Sequence, residues 1–99
     1  MFIHLSVPLK QQSVTVIERG TDHLYLSWVD PHNYTYQGHE IGYRRHDSTA
    51  LELRNGSNDM TFDLGGLDPG YLYDIYVVAV TAGVKSQPSE TLTTPTCES

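Results

Sequence analysis

Apolar residues along this chain recur at every second position, and no stretch holds the three-to-four spacing of a helix face. Val14 and Val16 mark a first strand, and Leu24, Leu26 and Trp28 a second, with Tyr25 and Ser27 on its opposite side. His39, Ile41 and Tyr43 share the parity of a third. Leu51 and Leu53 suggest a short edge strand, and Met60, Phe62 and Leu64 alternate through the next. The longest run sets Tyr73, Ile75, Val77 and Ala79 on one face and Asp74, Tyr76, Val78 and Val80 on the other. A weaker, polar strand is expected over residues 90–94. Turns are expected at Glu18 to Asp22, at Asn55-Gly56 and in a hairpin loop from Ala82 to Lys85, with a longer loop starting at Asp30-Pro31.

Seven short strands with no helix between them predict an all-β fold, a seven-stranded antiparallel immunoglobulin-like β-sandwich. The segment from Leu67 to Ala79 is the most informative part of the pattern. Pro69-Gly70 turns the backbone, and Tyr73 follows at the corner where such a chain passes between sheets. A tyrosine there buries its ring and turns its hydroxyl back to nearby backbone. The expected core is Trp28, Ile41, Tyr43, Leu67, Tyr73, Ile75 and Val77, with Tyr73 set opposite the indole of Trp28.

At 99 residues, 38% of them hydrophobic, the chain can bury one core as one domain. Its net charge of −6 argues against nucleic acid or an anionic membrane surface as the main partner, because both require a basic patch. No apolar stretch approaches the roughly 20 residues of a bilayer span, so direct membrane insertion is not expected. The single cysteine, Cys97, cannot close an internal disulfide and reads as an exposed tail thiol. Residues 1–7 and 96–99 read as linkers around a domain of residues 8–95. The start has no basic leader segment, which suits an intracellular protein or a module cut from a longer secreted chain.

In order and spacing, these residues resemble a fibronectin type III domain. Val14-Thr15-Val16 is similar to that family's first strand, and Leu24 to Trp28 to its second, ending in the buried tryptophan. Gly38 to Arg44 resembles the third strand, and Phe62 to Leu67 followed by Pro69-Gly70 and Tyr73 resembles the fifth strand, corner and sixth strand. The resemblance implies one sheet of strands A, B and E and another of C, C′, F and G, with Trp28 central. Two positions depart from the family pattern. His39 stands where an aromatic is common, and the expected arrangement is a neutral imidazole at the sandwich end with one hydrogen bond. Tyr76 and Val78 put apolar groups on an outer face that is usually polar. Either neighbouring long side chains cover them, or they form a small exposed patch for a partner.

Catalytic templates are missing: there is no Gly-x-Ser-x-Gly elbow, no phosphate-cradling glycine loop and no His-Glu-x-x-His pair. Neither an enzyme, a cofactor nor a metal site is expected, and the sevenfold spacing of His32, His39 and His46 is coincidence on alternating strands. Two of the three asparagines, Asn33 and Asn55, open N-glycosylation sequons placed in predicted surface loops. Tyr34 is expected outside and Tyr36 inside, so Tyr34, Tyr76 and Val78 form the candidate partner surface. Arg-Gly-Asp and the Trp-Ser-x-Trp-Ser motif of cytokine receptors are both absent.

The resemblance implies a non-catalytic extracellular module, a spacer and protein-interaction unit of a larger cell-surface receptor of receptor tyrosine phosphatase type, or of a matrix or adhesion protein. Its partners would be a protein ligand or neighbouring domains of the same chain, and the isolated domain would be monomeric. The alternatives are a spacer in a secreted microbial polysaccharide-degrading enzyme and a module of an intracellular muscle-type array.

Overall fold

The computed structural model describes residues 13–29 and 37–99. The expectations for Asn33, Tyr34, Tyr36 and His32, and for the linker at residues 1–7, lie outside the described residues. Eight strands run through the described part: β1 (Thr15–Arg19), β2 (Leu24–Ser27), β3 (Gly38–Arg45), β4 (Glu52–Gly56), β5 (Thr61–Leu64), β6 (Leu72–Thr81), β7 (Val84–Lys85) and β8 (Leu92–Pro95). All ladders are antiparallel. One sheet has the order β1-β2-β5, and the other has β4-β3-β6-β7 with β8 also paired to β6. This is the two-layer sandwich predicted from the alternation; β8 is the last expected strand, and β7 is an additional short strand within the expected hairpin loop.

The break before β8 has a local cause. Between β7 and β8 the backbone leaves the ladder, and two serines fill the gap. The N–H groups of Ala79 and Val77 donate to the hydroxyls of Ser86 and Ser89, each at 2.9 Å. The N–H groups of those serines donate back to the carbonyls of Ala79 and Val77, also at 2.9 Å. The side chains thus satisfy buried backbone that a proline-containing strand cannot. The preceding turn is tighter than expected, since only Ala82 and Gly83 form it, both at positive φ. Val84 and Lys85 are already paired with Thr81 and Val80.

Every residue of the expected core lies in one cluster with Val14, Leu24, Leu26 and Leu64. The corner is also as expected: the Asp68 N–H donates to the Tyr73 hydroxyl at 2.8 Å, and Gly70 takes the left-handed φ of 73° that the turn requires. The ring contacts differ from the pairing expected. Trp28 meets His39 edge-on with centroids 5.2 Å apart, whereas Tyr73 tilts against Tyr43 at 6.5 Å. His39 and Tyr43 are four residues apart on β3, roughly 13 Å at 3.3 Å per residue, so the two aromatic pairs fill opposite ends of the interior.

His39 is buried and donates its Nδ1–H to the Ser57 carbonyl at 2.9 Å, the bond expected of it. That bond fixes the tautomer, because a carbonyl only accepts. Asn55-Gly56, expected as a turn, instead continues β4 opposite Glu40 and His39. The chain reverses just after it, where the Ser57 hydroxyl accepts the Asp59 N–H at 3.1 Å. Residues expected as the C-terminal linker also make contacts with the domain. Thr96 is buried, its hydroxyl donates to the Asp68 carbonyl at 2.6 Å, and the Cys97 N–H donates to the Gly20 carbonyl at 2.8 Å. Cys97 is therefore half-buried against the β1–β2 turn, with its thiol 3.5 Å from the Arg19 carbonyl.

Candidate functional site

Pleating turns alternate residues of β3, β4, β6 and β8 away from the core, and the registers line them up in rows on the outer face of the larger sheet. Arg44 stands opposite Asp74, which stands opposite Thr93. Gly42 faces both Leu53 and Tyr76. Glu40 faces both Asn55 and Val78. A residue on β6 therefore has neighbours on both sides, which decides what is exposed.

Val78 is only 5% exposed, so it is not part of an open patch. Glu40 lies directly across from it, and Lys85 on β7 lies across from Val80. The Lys85 ammonium reaches Glu40 at 3.1 Å, so an ion pair spans β6 on this face and shields the valine. Tyr76 is half-buried for another reason. A Cβ on Gly42 would lie 2.2 Å from the Tyr76 ring, which means that the glycine leaves a hollow that the ring occupies. On this face the more open apolar side chains are Leu51 and Leu53 by the edge strand, each about half exposed, and Leu72 on β6, 44% exposed.

Below Tyr76 the face carries a carboxylate held by three side chains. The Thr93 hydroxyl donates to Asp74 Oδ1 at 2.7 Å, His46 Nδ1 lies 2.9 Å from the same oxygen, and Arg44 Nε lies 3.2 Å from Oδ2. The Thr93 hydroxyl, more than the histidine and arginine, holds Asp74 below the usual carboxylate range, against a desolvation that would raise it. Arg44, Leu51, Asp74, Tyr76 and Thr91 line a groove of about 270 Å³ here. Sequence reasoning missed Asp74 and Arg44 as a unit. The signal available was an aspartate at an outward position of an otherwise apolar strand, but its partner depends on the β3–β6 register.

The sequon residue Asn55 is exposed at the end of β4, beside Glu40. At the opposite edge of this strand's inner side, Arg54 lies over the Tyr43 ring and donates to its hydroxyl at 2.8 Å and to the Gly65 carbonyl at 3.1 Å. An inward-pointing arginine of this kind guards an edge strand against pairing with another chain. Among the described residues, no group of three or more His, Cys, Asp or Glu is placed to hold a metal. His39 and His46 occupy the core and the outer face respectively, so their sevenfold spacing joins nothing.

None of the curated proteins matches the chain in sequence. Among solved structures, the fibronectin type-III domain of human fibronectin type III domain containing protein 3 is similar over 98% of this chain and 93% of its own, at 21% identity and a TM-score of 0.83. The FN5 domain of Drosophila Lar is similar over 94% of this chain and all of its own, at 21% identity and a TM-score of 0.78. Domains A168–A170 of titin are similar at 20% identity and a TM-score of 0.83, over 93% of this chain, which spans 33% of that three-domain segment. Residues 8–95 match the family model described as Fibronectin type III domain, and with the tyrosine corner and sheet order in place the chain belongs to the fibronectin type III family.

Proposed function

We propose that this domain is a non-catalytic extracellular module that spaces its neighbours and binds a protein ligand through the outer face of its larger sheet. Domains of this family are spacer and interaction units of multi-domain chains, both in adhesion proteins and inside cells, as in titin. The observation that carries the reading is the row Leu53–Gly42–Tyr76: an aromatic ring packed onto a glycine beside leucines about half exposed. Tyrosine anchors in well-packed settings dominate protein interfaces, and rigid ones lose little entropy on binding. The extracellular part rests on Asn55, whose side chain is exposed in a complete sequon.

The test has two arms. Secretion from a eukaryotic host should add a glycan at Asn55 that Ser57→Ala abolishes, read by mass before and after enzymatic deglycosylation. An unmodified Asn55 in that host would favour the intracellular array reading, which the likeness to titin also supports. Screened against a panel of cell-surface proteins, the domain should retain a ligand that Leu53→Glu or Tyr76→Glu loses while the fold survives. A ligand that binds both variants as well as the parent would place the interface elsewhere.

A further inference from the structure

The groove beside Tyr76 has a chemical bias that its apolar lining does not reveal. Asp74 is the acid within it, and both of its oxygens are occupied: Oδ1 by Thr93 and His46, Oδ2 by Arg44 and His46. With its side chain 10% exposed and its acceptor sites in use, it has little to offer an incoming donor. Arg44 is the reverse case. It spends only Nε on Asp74, is 43% exposed, and its two terminal nitrogens have no hydrogen-bond partner among the described residues. The buried carboxylate thus holds the guanidinium through Nε and leaves its fork unspent beside the groove that Arg44 lines. A fork held in this way matches a carboxylate in two-point geometry. Leu51 and the Tyr76 ring supply apolar surface in the same groove.

We propose that the groove takes an acidic side chain of a protein ligand on the Arg44 fork, with an adjoining apolar side chain against Tyr76 and Leu51. This rests on the reading of the face as the interaction surface and names the chemistry of its ligand. The net charge of −6 does not oppose it. At physiological ionic strength, charges beyond about 8 Å are screened, whereas a guanidinium–carboxylate contact is made well inside that distance. A basic ligand is disfavoured at the same point, because it meets Arg44 first and finds Asp74 saturated.

The probe is 3-phenylpropionate, which carries one carboxylate and one aromatic group, compared with its neutral amide. Both are titrated into the labelled domain while NMR follows the Arg44 Nε–H and the Tyr76 ring. The acid should shift both signals at millimolar concentration and bind at least about tenfold more tightly than the amide, the difference expected of one charge-assisted contact. Arg44→Gln should erase the difference between acid and amide, and Arg44→Lys, which keeps the charge without the fork, should retain part of it. Well-dispersed spectra establish that each variant is folded, and either variant alone suffices. Equal binding of acid and amide at Tyr76 would overturn the carboxylate proposal and leave the face as an apolar interaction surface. Shifts at Arg45 or Arg54 in place of Arg44 would overturn it too. If neither probe moved Tyr76 or Leu51, the reading of this face as a binding surface would fall as well.

Discussion

The two outer faces of the sandwich are built from the same alternation and end up unlike each other. On the three-stranded sheet the outward rows are Thr15–Ser27–Thr61 and Glu18–Tyr25–Asp63, mostly short hydroxyls and exposed acids. They need no help from the fold: Asp63 is exposed, and Thr15 donates to the Ser27 carbonyl in passing. On the larger sheet the outward rows include Asp74 and Val78, both at least nine-tenths buried. The difference comes from what the neighbouring strands carry. Both β2 and β6 have strands on both sides, but over β6 the long side chains of Glu40 on β3 and Lys85 on β7 close in an ion pair. Exposure on a sheet depends on what stands alongside as well as on which way the pleat points.

The largest effect should come from the interior that both faces share. Trp28 is 2% exposed, and Trp28→Ala should cost about 3–5 kcal/mol, a large part of a typical domain's total stability. Urea denaturation measures it directly, and a loss below about 1 kcal/mol would remove the indole from its central place. Next in size is the contrast between the faces themselves. Asp74→Ala leaves the Thr93, His46 and Arg44 donors without their acceptor and should cost about 2 kcal/mol. Asp63→Ala, at an outward position of the other face, should stay within about 0.5 kcal/mol. Equal costs would mean that the neighbouring side chains do not distinguish the faces. Tyr73→Phe removes the acceptor for the Asp68 N–H and should cost about 1 kcal/mol, with the midpoint shifted and the denaturant slope unchanged.

The fold was legible to a far greater extent than the site. Alternation identified the strands and, apart from Leu67 at the corner, the named core, because inward residues report burial regardless of neighbours; the division into two sheets came from the resemblance to the family. Pro69-Gly70 and Tyr73 identified the corner, since few sequences put a positive-φ glycine just ahead of a buried tyrosine. Outward residues carry less information. Parity put Val78 on the outer face and left open whether it was covered, and the Glu40–Lys85 pair across β6 shows that it is. Asn55-Gly56 looked like a turn because the pair so often is one, yet β3 offered it a strand partner. The Asp74 network was illegible for the same reason as Val78: Arg44, His46 and Thr93 reach it from two other strands.

The smallest prediction sets the faces against each other by pH. Asp74 titrates below its ordinary 3.8 because Thr93, His46 and Arg44 favour the ionised form in the folded state alone. Its contribution is present above that value and is lost as pH falls through the lower folded value. His23 does the opposite at the edge of the other sheet. Its ring lies 3.3 Å from both Asp22 and Glu18, and these carboxylates raise it above 6.5, Asp22 more than Glu18. Its contribution is complete below 6.5 and fades as pH rises past the raised value. Stability followed from pH 2 to 8 should therefore show an acid limb that flattens in Asp74→Asn and a slight decline near neutrality that disappears in His23→Gln. The first limb should be the deeper, since Asp74 is shielded by its sheet, whereas the carboxylates around His23 sit in solvent, where such pairs are worth little. A neutral decline that survived His23→Gln, or an acid limb indifferent to Asp74→Asn, would show that the charges on the two faces do not divide the pH range in this way.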